Sequence, residues 1–329
     1  MNNINRRNEA INTLESQLIK KCPNVLGLMI TKDGDTLFEK YWNGSGSTTR
    51  FHVASVTKSY LSALVGIAVS QGLIQCVHTP ILKYFPEYKG TPLEIKLSQI
   101  SLHHLLTMTA VHAYEDWKEP LDLLCRSNNW TDFILQHIQV ASSPAHFKYS
   151  SANAHLVSII LYRVSGLNAR EFANRHLVNQ TDQTFIPAPD MKGYGFEDLF
   201  GANVRGWVED PEGHSTGGWG LTLTLSDMAR LGDLYLNNGE KNGRQILDPE
   251  WIEDSLNKHT GSYGYMWWLL KEKDLSAFAA MGDGGNIICC VPSLKLTVVI
   301  TSTFMPDVYD RWRFILEDVL PNIDILKKT

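Results

Sequence analysis

A serine hydroxyl is a weak nucleophile until a neighbouring base takes its proton. The stretch FHVASVTKSYLSALVGIAV, from Phe51 to Val69, contains such a pairing in Ser55 and Lys58. On a helix, side chains three positions apart are neighbours. An ammonium can act as the base only where burial disfavours its charged form, and the apolar residues Tyr60 to Val69 supply those surroundings. A serine in the first helical turn would also lie among free backbone N–H groups at the positive end of the helix dipole. The spacing alone is a weak signal. Ser-x-x-Lys arises about once by chance in a chain of this size, and Ser255 and Lys258 repeat it in EDSLNKHT, a polar stretch with no buried helix behind it.

The elements around Ser55 give the pair its context. Val25 to Thr31 and Thr36 to Tyr41 read as strands joined at Asp33-Gly34, a hairpin signal. From about Gln75 to His214 apolar residues return every three or four positions, as in LSQISLHHLLTMTA, LDLLCRSNNWTDFILQHI and ANAHLVSIILYRVSG, which predicts helices. LTLSDMARLGDLYLNNG is a further amphipathic helix with Thr224 or Ser226 as its cap. SYGYMWWLL, SAFAAM, NIICCVP and KLTVVITS then read as strands, and DRWRFILEDVL as a closing helix. Strands at both ends with helices between predict an α+β fold, an antiparallel sheet flanked by helices with an inserted, mostly helical lobe. The expected division is a discontinuous sheet domain, 1–75 plus 217–329, and a helical domain, 76–216, with the site in the cleft between them.

That order, with FHVASVTK leading into a buried helix, resembles the serine β-lactamase and penicillin-binding-protein superfamily, whose Ser-x-x-Lys serine is catalytic. SQISLHHLLTMTA, HSTGGWGLTLTLSDMARLGDLYLNNG and NIICCVPSLKLTVVIT are similar to segments of its class C β-lactamase-related esterases, amidases and peptidases. The resemblance spans about Val25 to Leu320 and implies a β-lactamase-like fold and three motifs. The first is Ser55 and Lys58. The second falls on Tyr149-Ser150-Ser151: Tyr149 would take the Ser55 proton and return it to the leaving group. A phenol ordinarily has a pKa of about 10, and a nearby cation favours its phenolate. Ser151 replaces the usual asparagine as a substrate contact, and Asn153 would point elsewhere on the helix. The third, usually Lys-Thr-Gly or His-x-Gly, falls on Ala280-Met281-Gly282. Gly282 would let substrate approach the strand, and the amides of Asp283 and Ser55 would form the oxyanion hole.

Ala280 cannot hold the carboxylate of a penicillin or a stem peptide, so the resemblance implies an esterase or amidase ahead of a true β-lactamase or D,D-peptidase. Gly282-Asp283-Gly284-Gly285-Asn286 and YGYMWW resemble the branch that hydrolyses nylon-oligomer amides. A noncatalytic binding or sensor protein on the same scaffold is the alternative from another class; joint retention of Ser55, Lys58 and Tyr149 argues against it.

Composition narrows the partners. The 329 residues are 43% hydrophobic with a formal net charge of −5 and no basic stripe, which argues against nucleic acid; the resemblance implies a small ester, amide or peptide-like substrate. Five scattered cysteines, Cys22, Cys76, Cys125, Cys289 and Cys290, form neither a zinc motif nor a disulfide scaffold and suggest buried thiols in a reducing compartment. The amino-terminal segment reads as an amphipathic helix carrying Ile11, Leu14, Leu18 and Ile19, without a secretory core. The apolar run from Tyr60 to Ile74 is too short for a bilayer. A cytoplasmic protein without membrane attachment is expected. No cofactor or metal motif is present, and His103-His104 reads as one buried and one exposed ring. Of the tryptophans, Trp117, Trp130, Trp207, Trp267 and Trp268 read as mainly core; Trp219 and Tyr114 lie in loops expected to contact substrate.

Overall fold

The computed structural model describes residues 3–112, 119–140 and 146–326. Its sheet is assembled from both ends of the chain: β1 (Val25–Lys32), β2 (Asp35–Tyr41), β3 (Trp268–Glu272), β4 (Leu275–Gly282), β5 (Asn286–Val291) and β6 (Leu296–Ser302). The order is β2-β1-β6-β5-β4-β3, antiparallel throughout. The β1–β2 turn has positive φ at Asp33 (53°) and Gly34 (85°), the conformation an Asp-Gly hairpin favours. The predicted strand SYGYMWWLL begins only at Trp268. Ser262 to Trp267 are a turn instead, and Gly264 sits so close to Ser255 that a Cβ would lie 2.0 Å from the Ser255 carbonyl oxygen.

Each sheet face covers a core. On one side α1 (Asn3–Lys21) and the helical segment 311–326 bury Leu14, Leu18, Phe314, Ile315 and Val319 against Leu28, Val298 and Ile300. Ile19, expected on the same side of α1, is 49% exposed, and Ala10 and Cys22 are buried instead. On the other side lie α2 (Val56–Ser70), α3 (Ser151–Ser165), α4 (Leu225–Leu236) and α5 (Pro249–Leu256). Every residue of α2 from Val56 to Ala68 is buried. Its fit against α5 depends on Gly66, where a Cβ would stand 2.4 Å from Trp251 Cδ1. Thr224 caps α4 reciprocally with Asp227, one of the two caps expected.

Cys22, Cys125, Cys289 and Cys290 are buried, but Cys76 is exposed: it follows the α2 terminus in a turn that leaves the core. Among the described residues no helix is long and apolar enough to cross a membrane.

Candidate active site

Ser55 stands at the mouth of α2, at the end of a backbone kink. Ala54 is buried with φ 47°, a left-handed conformation that costs a non-glycine residue on the order of 1 kcal/mol. Thr57 ties the kink down by donating its amide (3.1 Å) and hydroxyl (2.7 Å) to the Ala54 carbonyl. Ser55 is the N-cap residue, yet its hydroxyl caps nothing. The expectation of several free amides here is corrected: Val56, Thr57 and Lys58 donate back to the carbonyls of Val53, Ala54 and Ser55 at 3.1 to 3.2 Å. Among the described residues the Ser55 amide is left without a backbone acceptor.

Lys58 is 1% exposed. Its Nζ donates to Ser55 Oγ (3.0 Å), Ser151 Oγ (3.0 Å) and the Gly218 carbonyl (2.9 Å), and lies 4.6 Å from the centre of the Tyr149 ring. All three acceptors are neutral: two hydroxyls, one of them that of Ser55, and a backbone carbonyl. Ser151, expected as a substrate contact, is 2% exposed and faces Lys58. Asn153 turns away, bonded to His112 Nε2 and the Ala110 carbonyl at 2.7 Å each.

The Gly218 carbonyl was not legible in the sequence as a site group. It belongs to a strap pressed onto the start of α3: a Cβ on Gly217 would lie 1.9 Å from the Ala154 carbonyl oxygen, and one on Gly218 2.6 Å from Ser151 Cβ. His155, fully buried on α3, holds the strap. Its Nε2–H donates to Asp210 Oδ2 (3.0 Å), leaving Nδ1 to accept from the Gly217 amide (3.4 Å). Asp210 Oδ2 also accepts from His214 Nδ1 (2.9 Å), and Oδ1 from the amides of Glu212 and His214. Burial would raise this carboxyl, but the hydrogen bonds from His155 and His214 outweigh it and hold it below the ordinary aspartate range. Asp210, Glu212 and His214 bring potential metal-ligating atoms within 4.8 Å of one another. Asp210 is already saturated, however, and Glu212 accepts from the Thr131 hydroxyl at 2.8 Å, so the group works as a polar brace.

Tyr149 precedes the Ser150 cap of α3, half-buried, with its ring stacked on Trp268 (centroids 5.6 Å apart, planes at 24°) and edge-on to Tyr263. Trp268 therefore leaves the core group expected for it, whereas Trp130, Trp207 and Trp267 are fully buried.

Across from the helix mouth, β4 ends at Gly282. A Cβ there would lie 2.4 Å from the Val53 carbonyl oxygen and 3.1 Å from the Ser55 amide nitrogen, so only glycine allows this strand end to approach Ser55. Asp283 opens the following turn, in which Gly284 and Gly285 have φ 79° and 87°. Arg311, 3% exposed, secures that turn by donating to the Gly284 and Gly285 carbonyls, Asn24 Oδ1 and Ser302 Oγ. No sequence motif marks Arg311, and tertiary packing alone brings it to the turn.

Ala54, Trp219, Gly282 and Asp283 border a cavity of about 660 Å³. Trp219 is 1% exposed and stacks on Phe200 at 5.2 Å, so it forms a wall rather than a surface contact. Tyr114 and Trp117 lie outside the described residues. Ser255 is buried and donates to the Trp251 carbonyl (2.6 Å), while Lys258 lies beyond the end of α5, so the second Ser-x-x-Lys is no pair. His103 and His104 are both half-buried; His104 accepts from the Ser101 amide and His103 meets the Tyr265 hydroxyl.

An antiparallel sheet closed by the chain's two ends, with a buried helix presenting its first serine to the tip of a strand, is the architecture of the penicillin-binding-protein and β-lactamase fold. The chain belongs to the β-lactamase family, whose model, described as Beta-lactamase, matches residues 13–320. It is 24% identical over 285 residues to a 6-aminohexanoate-dimer hydrolase of Paenarthrobacter ureafaciens, covering 78% of this chain and 66% of that one. Among solved structures, one described as a 6-aminohexanoate-dimer hydrolase from Bacillus anthracis superposes with a TM-score of 0.73 at 21% identity, over 95% of this chain and 81% of that one. EstCE1, a hydrolase with promiscuous acyltransferase activity, superposes with a TM-score of 0.72 at 15% identity, over 98% of each chain.

Proposed function

We propose that this protein is a serine hydrolase that cleaves a small ester or amide through an acyl-enzyme. The observation that carries the reading is Lys58, buried and held by three neutral acceptors with its Nζ 3.0 Å from Ser55 Oγ. Ser55 attacks the substrate carbonyl while its proton passes to the Lys58–Tyr149 pair. The Ser55 and Asp283 amides receive the developing oxyanion, and Tyr149 returns the proton to the departing alcohol or amine. Water then repeats the sequence on the acyl-enzyme and frees Ser55. Ser151 and Gly218 hold Lys58 in line; Gly282 leaves room for the carbonyl. The catalytic groups lie where a sheet lobe, 1–75 plus 217–329, meets a helical lobe, 76–216.

Relatives named as a 6-aminohexanoate-dimer hydrolase and as a hydrolase with promiscuous acyltransferase activity support acyl chemistry. Ala280, fully buried, offers no cation at the third motif, which favours esters and linear amides over β-lactams and D-Ala-D-Ala peptides. A side-by-side assay of a short-chain p-nitrophenyl ester, a linear amide, a chromogenic cephalosporin and a D-Ala-D-Ala peptide tests this. Turnover of the ester or linear amide, abolished in Ser55→Ala, is expected. Turnover confined to the cephalosporin or the D-Ala-D-Ala peptide would replace the reading with a β-lactamase or peptidase, and turnover of none would favour a noncatalytic sensor.

A further inference from the structure

The cavity beside Ser55 has a side and a chemistry. It is lined by Ala54, Gly282 and Asp283, the neighbours of the proposed nucleophile and oxyanion amides, whereas Ser55 itself, Lys58, Tyr149 and Ser151 do not line it. Its walls include Phe196, Phe200, Trp219, Met281, Phe304 and Val308. Of the charged side chains that reach it, Arg50 donates to the carbonyls of Thr184, Phe185 and Thr222, Arg311 to the Gly284-Gly285 turn, and Asp310 caps the helix that follows it, while Asp283 is an exposed carboxylate at the border. Phe196 and Phe304 are 64% and 69% exposed at its rim, an apolar surface of the kind that marks a ligand groove.

A leaving group must face the residue that protonates it, here Tyr149. The cavity, which Tyr149 does not line, is then free for the acyl substituent on the same carbonyl carbon. We infer that this cavity binds the acyl chain and selects substrates whose acyl group carries an apolar chain well beyond acetyl, which a cavity in the size range of small-ligand pockets can hold. The inference rests on the acyl-enzyme reading above and adds the substrate class.

The test is kcat/KM for p-nitrophenyl acetate, butanoate and octanoate, with octyl acetate as a control carrying its chain on the alcohol. Burying a methylene is worth about fourfold, so octanoate should exceed acetate by tenfold or more even if only part of the chain is sheltered. Ala202→Trp and Val308→Trp, two surface-side positions on the cavity wall, should each cut the octanoate-to-acetate ratio at least fivefold. A flat or falling series, a ratio unmoved by both substitutions, or a gain that follows the alcohol chain overturns the inference. In those cases Ser55-dependent acetate turnover would still leave the hydrolase reading intact. No turnover of any ester, with no labelling by a methyl or an octyl fluorophosphonate, overturns the hydrolase reading and this inference with it.

Discussion

On the proposed mechanism Lys58 is the residue on which the chemistry turns, because its buried Nζ lies 3.0 Å from Ser55 Oγ among three neutral acceptors. Lys58→Met keeps the apolar stem and removes the amine. It should lower kcat/KM by about a thousandfold, within the range general-base loss produces, and steady-state kinetics with the thermal midpoint measured in parallel would separate this from unfolding. Gly282→Ala makes a complementary prediction. Its Cβ would meet the Val53 carbonyl oxygen at 2.4 Å, so the strand tip must retreat from Ser55. A displacement near 1 Å costs about a hundredfold in rate; wild-type turnover in Gly282→Ala would show that the close approach is unnecessary.

At the scale of elements, the Gly217-Gly218 strap and the brace behind it determine where Lys58 points. Asp210 is held below its ordinary value of 3.8, so the stability it contributes is present above that value and lost as pH falls below it. Asp210→Asn should therefore cost about 2 kcal/mol near neutrality, with the gap to wild type closing as pH drops below 3.8, measurable by urea titration at several pH values. Activity should fall with it, because the strap carries the Lys58 acceptor. These elements also mark what was legible in the sequence. The hairpin, the buried helix α2 and the late strands were readable because their apolar periods and turn residues are local. The brace was not, since His155 reads as one more position on an apolar helix and Asp210 as part of a polar loop, and only tertiary packing brings them together. Arg311 was hidden for the same reason. Ser55 and Tyr149 are proposed from motif order, yet the engagement of Ser151 with Lys58 needed coordinates.

For the whole molecule, three histidines on different elements share one response to acid. Burial pushes His52, His103 and His112 down to about 4 from the ordinary 6.5. His52 Nε2 accepts from the Gly220 amide at 3.1 Å, a bond that a protonated ring would lose. For a histidine with a depressed folded value, the stabilising contribution is complete above 6.5 and disappears as pH falls toward 4. Unfolding free energy should thus be level above about pH 7 and decline by about 2 kcal/mol or more by pH 5; a profile flat to pH 5 would show that these rings are solvated. The central claim concerns Ser55 itself. Treating the protein with a fluorophosphonate and mapping the adduct by peptide mass spectrometry should give one modified residue, Ser55, with labelling lost in Ser55→Ala. A label on another residue, or equal labelling of the Ser55→Ala variant, would contradict the account.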